Sequence, residues 1–135
     1  MKKYTFNKEE RLCSKRLIAD LFHRGSSFFL YPYRVTFLPC QEMKPSIQVL
    51  FSVPKRRFPR AVQRNLLKRR MREAFRLHKN ELLYSDLKQR SFSLVLAIQY
   101  VAKEVLDYQL IHDRMAEALI KLRHESAQIH LGEGD

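Results

Sequence analysis

Lys55-Arg56-Arg57-Phe58-Pro59-Arg60-Ala61-Val62-Gln63-Arg64-Asn65-Leu66-Leu67-Lys68-Arg69-Arg70-Met71-Arg72-Glu73-Ala74-Phe75-Arg76-Leu77 is the stretch around which the chain is organised. Residues 55–79 hold eleven Lys or Arg against one Glu, a local balance of +10 in a chain whose total is +12. Wound at about 100° per residue, Arg64, Asn65, Lys68, Arg69, Arg72 and Arg76 fall within an arc of about 140°. Leu66, Leu67, Met71, Ala74 and Leu77 take the opposite side, Phe75 lies at the boundary, and Arg70 alone interrupts the apolar face. Such a helix buries one side and presents cations on the other. Acids that could offset the charge through i,i+4 pairs are nearly absent, since Glu73 stands alone, so the aligned cations repel one another until a polyanion relieves them. Charge and geometry point to nucleic acid.

Working outward, the helix is flanked by two strand-like runs. Ile47 to Val53 is more uniformly apolar than the strand before it and ends at Pro54, and Phe92 to Gln99 is a second buried-looking strand. A helix that joins two strands makes them parallel neighbours. Upstream, Phe28 to Leu38 is aromatic and β-branched with Pro32 inside it, and alternation in Tyr33-Arg34-Val35-Thr36-Phe37 puts Arg34 and Thr36 on one face. The run 28–38 is expected to pair antiparallel with 47–53 across the loop of residues 39–45. Before it, Ser14 as N-cap, Leu17/Leu21 and Ile18/Phe22 at i,i+4, and Gly25 as stop predict a short helix over 14–24. Residues 1–11 read as an extended arm anchored by Tyr4 and Phe6. After about Asn80 the helical pattern decays through Glu81 to Ser91. Asp107 caps a last helix with a stripe of Ile111, Met115, Ala118, Leu119 and Leu122, and residues 125–135 read as a frayed tail. The order α-β-β-(β)-α-β-α predicts an α+β class, an α/β sandwich of one sheet with helices packed against it.

The 135 residues, 45% apolar and 11% aromatic, predict a single domain over 1–135 that folds without metal or disulfide support. Cys13 and Cys40 lack neighbours at ligand spacing and read as buried thiols of a reducing compartment. Met1-Lys2-Lys3 is followed by polar residues, and no run approaches 18 apolar residues. The expectation is a soluble cytoplasmic protein with no membrane partner.

Catalytic constellations are missing from the pattern. The five histidines, His23, His78, His112, His124 and His130, have no metal-binding spacing, with His112 and His124 expected on or beside exposed faces of the last helix. Three glycines exclude a Gly-rich phosphate loop, Glu9 and Glu10 lie on the arm, and Glu73 sits among arginines. No catalytic residue, metal ligand or bound cofactor is expected of the protein by itself.

The block Arg60-Ala61-Val62-Gln63-Arg64-Asn65-Leu66-Leu67-Lys68-Arg69-Arg70-Met71-Arg72-Glu73 resembles the signature of the protein subunit of bacterial ribonuclease P. Phe51-Ser52-Val53-Pro54-Lys55-Arg56 resembles that family's strand and basic turn, and Arg11-Leu12 through Leu21-Phe22 and Gly25 resembles its first helix, so the likeness covers roughly residues 6–125. It implies a protein that binds a large catalytic RNA and the 5′ leader of precursor tRNA, with cleavage carried out by the RNA using Mg²⁺ and no further protein partner required. Lys55, Arg56, Arg64, Asn65, Lys68, Arg69 and Arg72 match the family's RNA-contacting positions, and Arg57, Arg60 and Arg76 extend the same charge. Ile18 and Phe22 match its leader-cleft positions, toward which Arg34 and Thr36 are expected to face. Ile18 stands where an aromatic is often found, and the turn at 55–60 is a residue longer than in some members. The resemblance further implies a left-handed crossover from 47–53 through the basic helix to 92–99, against the general right-handed rule.

Three rivals share parts of this pattern. A ribosomal-type structural RNA binder would have the same charge and class but need no cleft. A DNA reader would mix Asn, Gln and Ser into its recognition helix, whereas cations dominate positions 64–76 here. An autonomous nuclease would cleave without RNA.

Overall fold

The computed structural model describes residues 8–41, 45–90 and 92–133. A single 3₁₀ turn (Lys8–Glu10) leads into α1 (Lys15–Arg24), β1 (Ser26–Leu30), β2 (Tyr33–Cys40), β3 (Ile47–Ser52) and α2 (Ala61–Lys79). A π-helical turn (Asn80–Tyr84), α3 (Ser85–Arg90), β4 (Ser93–Tyr100) and α4 (Tyr108–Glu133) follow. The α+β class is therefore as expected, with three strands before the basic helix.

The strand order is β1-β2-β4-β3. β3 and β4 are parallel neighbours, in register from Ile47 opposite Leu94 to Ser52 opposite Gln99, as a helix between them requires. The expected antiparallel pairing of 28–38 with 47–53 does not form. β4 lies between β2 and β3 and pairs antiparallel with β2. The reason is burial: every residue of β4 except Gln99 is buried, and a run with no polar face must take the centre of a sheet covered on both sides. The run 28–38 is also two strands, because Tyr31-Pro32 forms the two-residue turn of a hairpin whose last pair is Leu30 opposite Tyr33.

One face of the sheet carries the main core. Tyr33, Val35, Phe37, Val49, Phe51, Leu96 and Ile98 pack against Leu67, Met71 and Phe75 of α2 and Ile111, Met115 and Leu119 of α4. Tyr33 pins α4 to β2 through its hydroxyl, which donates to Ile111 O at 2.7 Å. The other face carries a smaller cluster, where Val95 and Ala97 meet Leu12 and Leu21 with Leu17, Ile18 and Leu50 beside them. That cluster holds α1 against the strands.

The caps of α1 are those expected. Ser14 Oγ accepts from Leu17 N at 3.3 Å, and Gly25 N donates to Leu21 O at 2.8 Å. Gly25 has φ −72°, so no left-handed backbone demands glycine. Space does: a Cβ there would stand 2.3 Å from Leu21 O and 2.9 Å from Phe37 O.

Four further expectations change. The stretch after Asn80 is helical, with Leu83 and Leu87 buried, and the π turn explains the decay of the pattern: its extra residue per turn shifts the apolar stripe out of 3.6 phase. The tail is not frayed at 125, since α4 runs to Glu133 with Ser126 and Ala127 buried. The extended arm is a 3₁₀ turn at residues 8–10, while Tyr4 and Phe6 lie outside the described residues. Cys13 is exposed at the approach to α1 and Cys40 only half-buried at the end of β2, where burial raises the thiol pKa. No helix of the described residues is long and apolar enough to cross a membrane.

Candidate nucleic-acid interface

The basic loop is shaped by one aromatic. Phe58 is buried edge-on against Tyr100, ring centroids 5.8 Å apart, and its N–H donates to Pro54 O at 3.1 Å. With that side chain drawn inward, Lys55, Arg56, Arg57 and Arg60 are left exposed around it. Two cations tie the loop down: Arg57 donates to Val101 O, and Arg64 Nη1 donates to Phe58 O and Pro59 O at 2.8 Å each. Arg60 takes the N-cap of α2 with no side-chain cap and no acid in the first turn. The positive end of the helix dipole is thus added to the cations around it.

Along α2, Asn65 and Arg69 are exposed while Lys68 and Arg72 are half-buried. Val62, Asn65, Leu66, Arg69 and Arg72 line a shallow depression of about 480 Å³ in which cations stand beside apolar side chains. Arg76 differs from the rest of the arc because Glu73 is its counter-ion: their hydrogen bond holds the Glu73 carboxyl below its ordinary pKa and raises that of Arg76. Arg72 is lowered, first by partial burial and then by the nearby charge of Arg11.

Two cations of the basic stretch point inward. Arg70, the one interruption of the apolar face, donates to Leu106 O at 2.8 Å and so closes the loop before α4. Lys79 is buried in an ion pair with Glu10. The surface charge is smaller than the sequence count suggests, but what remains lies on one side.

The sheet face toward α1 holds the other expected residues. Phe22 is 49% exposed and so is not a core residue of α1, whereas Ile18 is half-buried in the smaller cluster. Arg34 is exposed as expected, but Thr36 is only 6% exposed. The reason lies in the strand register: Thr36 pairs with Ala97, in the part of the sheet α1 covers, while Arg34 pairs with Gln99 one step beyond it. Arg34, Ser52, Arg56, Arg57 and Gln99 line a common depression of about 310 Å³, so the basic loop reaches Arg34 on the sheet. A larger depression, about 570 Å³, lies apart among α3, α4 and β1 and has mixed charge.

The residue the sequence reading missed on this face is Phe29, 60% exposed and opposite Arg34 in the β1–β2 ladder. Its signal was present. Adjacent residues of a strand point to opposite faces, so of Phe28 and Phe29 only one could enter the main core.

His112 is half-buried, beside an exposed face of α4, and its Nε2 lies 3.0 Å from that of His78 on α2. Spacing along the chain could not show a pair formed between two helices. Among the described residues no group of three or more His, Cys, Asp or Glu could hold a metal ion. The arrangement offers a surface for an extended polyanion.

The family model for ribonuclease P matches residues 6–123. The chain is 36% identical over 120 residues to the ribonuclease P protein component of Porphyromonas gingivalis, covering 88% of this chain and 87% of that one. It is 32% identical over 129 residues to that of Chlorobium phaeobacteroides, covering 88% of each. The fold matches the RNase P protein from Thermotoga maritima with a TM-score of 0.65 at 21% identity, over 83% of this chain and 96% of that one. The Staphylococcus aureus RNase P protein matches with a TM-score of 0.60 at 22% identity, over 84% and 94%. A match of this length, running through the arm, α1, the sheet and the cationic helix alike, places the chain in the ribonuclease P protein family.

Proposed function

We propose that this chain is the RNA-binding subunit of a ribonucleoprotein endoribonuclease that removes the 5′ leader from precursor tRNA in the cytoplasm. In this reading the exposed cations of the loop and α2 bind the phosphates of the catalytic RNA. The open part of the sheet beside α1, with Phe22 and Arg34, takes the single-stranded leader. The protein contributes binding and the RNA contributes the chemistry, including the Mg²⁺ that the reaction uses, and no second protein is needed.

The observation that carries the reading is the continuity of two surfaces. Arg56 and Arg57 of the loop share a depression with Arg34 of the sheet, so an RNA lying on α2 and a strand crossing the sheet would meet there. A structural RNA binder has no use for the second surface. The deciding experiment is reconstitution with the catalytic RNA of the same bacterium and cleavage of a 5′-extended tRNA at low Mg²⁺, with and without the protein. Faster cleavage with release of the intact leader is expected. No change in cleavage despite tight RNA binding would return the chain to the structural class.

A further inference from the structure

The chain before α1 runs along the flank of the sheet. Leu12 N donates to Val49 O at 3.0 Å, and Arg11 forms an isolated parallel bridge with Val49. One residue earlier, Glu10 is 3% exposed. Its carboxylate accepts from Lys79 Nζ at 2.6 and 2.7 Å and from the Tyr84 hydroxyl at 2.6 Å. Lys79 is equally buried. A pair of charges taken out of water adds little stability over an apolar pair of the same volume, and this pair ties the segment before α1 to the end of α2.

Lys79 ends α2, and Arg72 stands seven residues before it, two turns or about 10.5 Å along the same side. With Glu10 clamped at the end of α2 and Leu12 bonded to β3, Arg11 is left exposed between two anchored residues. Its charge is felt at Arg72. Glu73, the acid within α2, is turned to Arg76. Arg11 is thus held by a buried ion pair against the end of the helix that carries Arg72, and the like charges repel in the free protein. A phosphate reached by both converts the repulsion into two charge-assisted contacts.

We propose that Arg11 is a phosphate contact of the catalytic-RNA interface, and that Glu10, through Lys79 and Tyr84, is the positioning residue that holds it beside Arg72. The proposal rests on the reading of α2 as the RNA face. It adds to that face a residue from outside the basic stretch and gives the buried acid a role.

The test uses the full chain and the catalytic RNA of ribonuclease P from the same bacterium, with affinity measured over a salt series and folding followed by circular dichroism. Arg11→Ala should keep the parental melting temperature, lose affinity several-fold, and flatten the log–log salt slope by about one unit. Glu10→Gln should lose affinity although Arg11 is intact, and adding Arg11→Ala to it should cost less than the same change in the parent. Tyr84→Phe, which removes one hydrogen bond and no charge, serves in its place if Glu10→Gln does not fold. A parental slope for Arg11→Ala, beside a flattened slope for Arg72→Ala, overturns the contact and leaves the reading of α2 standing. Reduced stability with unchanged affinity of folded Glu10→Gln overturns the positioning role. Parental slopes for both Arg11→Ala and Arg72→Ala sink the reading of α2 and this inference with it.

Discussion

His78 of α2 and His112 of α4 bring their Nε2 atoms to 3.0 Å, with ring centroids 4.5 Å apart. Two imidazoles this close can share one proton between the facing nitrogens but cannot both be cations without repulsion. The pair therefore makes one contact between the two longest helices sensitive to pH. Burial first, then the His112 charge, lowers the His78 pKa, against smaller opposing effects of Glu81 and Asp113.

The sign follows from proton counts. A histidine whose pKa is lowered on folding binds more protons when unfolded, so its contribution is intact above the unfolded value of about 6.5 and is lost as pH falls toward the folded value. The melting temperature should fall on acidification from pH 7.5 to 5.5. His112→Gln should make that dependence shallower. An identical pH profile in parent and variant would show that the pair does not govern it.

Arg69 and Arg70 are neighbours in sequence with opposite surroundings. Arg69→Ala should leave stability within about 0.5 kcal/mol of the parent and flatten the salt slope of RNA binding by about one unit. Arg70→Ala removes the donor to Leu106 O, and leaving a part-buried carbonyl unsatisfied costs about 1–3 kcal/mol of stability. Its salt slope should stay parental. Denaturant unfolding and filter binding on both variants check the contrast.

Lys79→Ala strands Glu10 as a buried charge with the Tyr84 hydroxyl beside it. Removing one partner of a buried pair costs about 3–5 kcal/mol. The loss should be visible as a lower urea midpoint with an unchanged slope, and Glu10→Ala should give a loss of similar size. A stable Lys79→Ala would mean that water reaches the site.

Phe22 and Phe29 are exposed aromatics on the same side of the sheet as Arg34. Stacking of a base on such a ring is worth about 1–3 kcal/mol. Phe22→Ala and Phe29→Ala should weaken binding of leader-bearing tRNA to the reconstituted complex while mature tRNA binds as before. Because the readout is a ratio of two affinities, a general loss of charge or fold cannot imitate it. Equal losses for both tRNAs would remove the rings from the leader path.

Much was legible in the chain because it is written in local patterns. The amphipathic period of 61–77, the Ser14 and Asp107 caps, and the parallel relation of the strands flanking α2 all depend on residues near one another in sequence, and all are found. The cationic arc was equally plain, since Arg64 to Arg76 share one helix and helix geometry alone sets their direction. Three-dimensional packing decided the rest. Only the placement of β4 between β2 and β3 set Thr36 beneath α1 while leaving Arg34 open. Only the meeting of helices distant in sequence paired His78 with His112, turned Arg70 to Leu106, and buried Lys79 against an arm acid 69 residues away. The difference is physical. Periodicity says which face of an element is apolar, but what a polar group on that face will meet is set by the neighbour that burial brings against it.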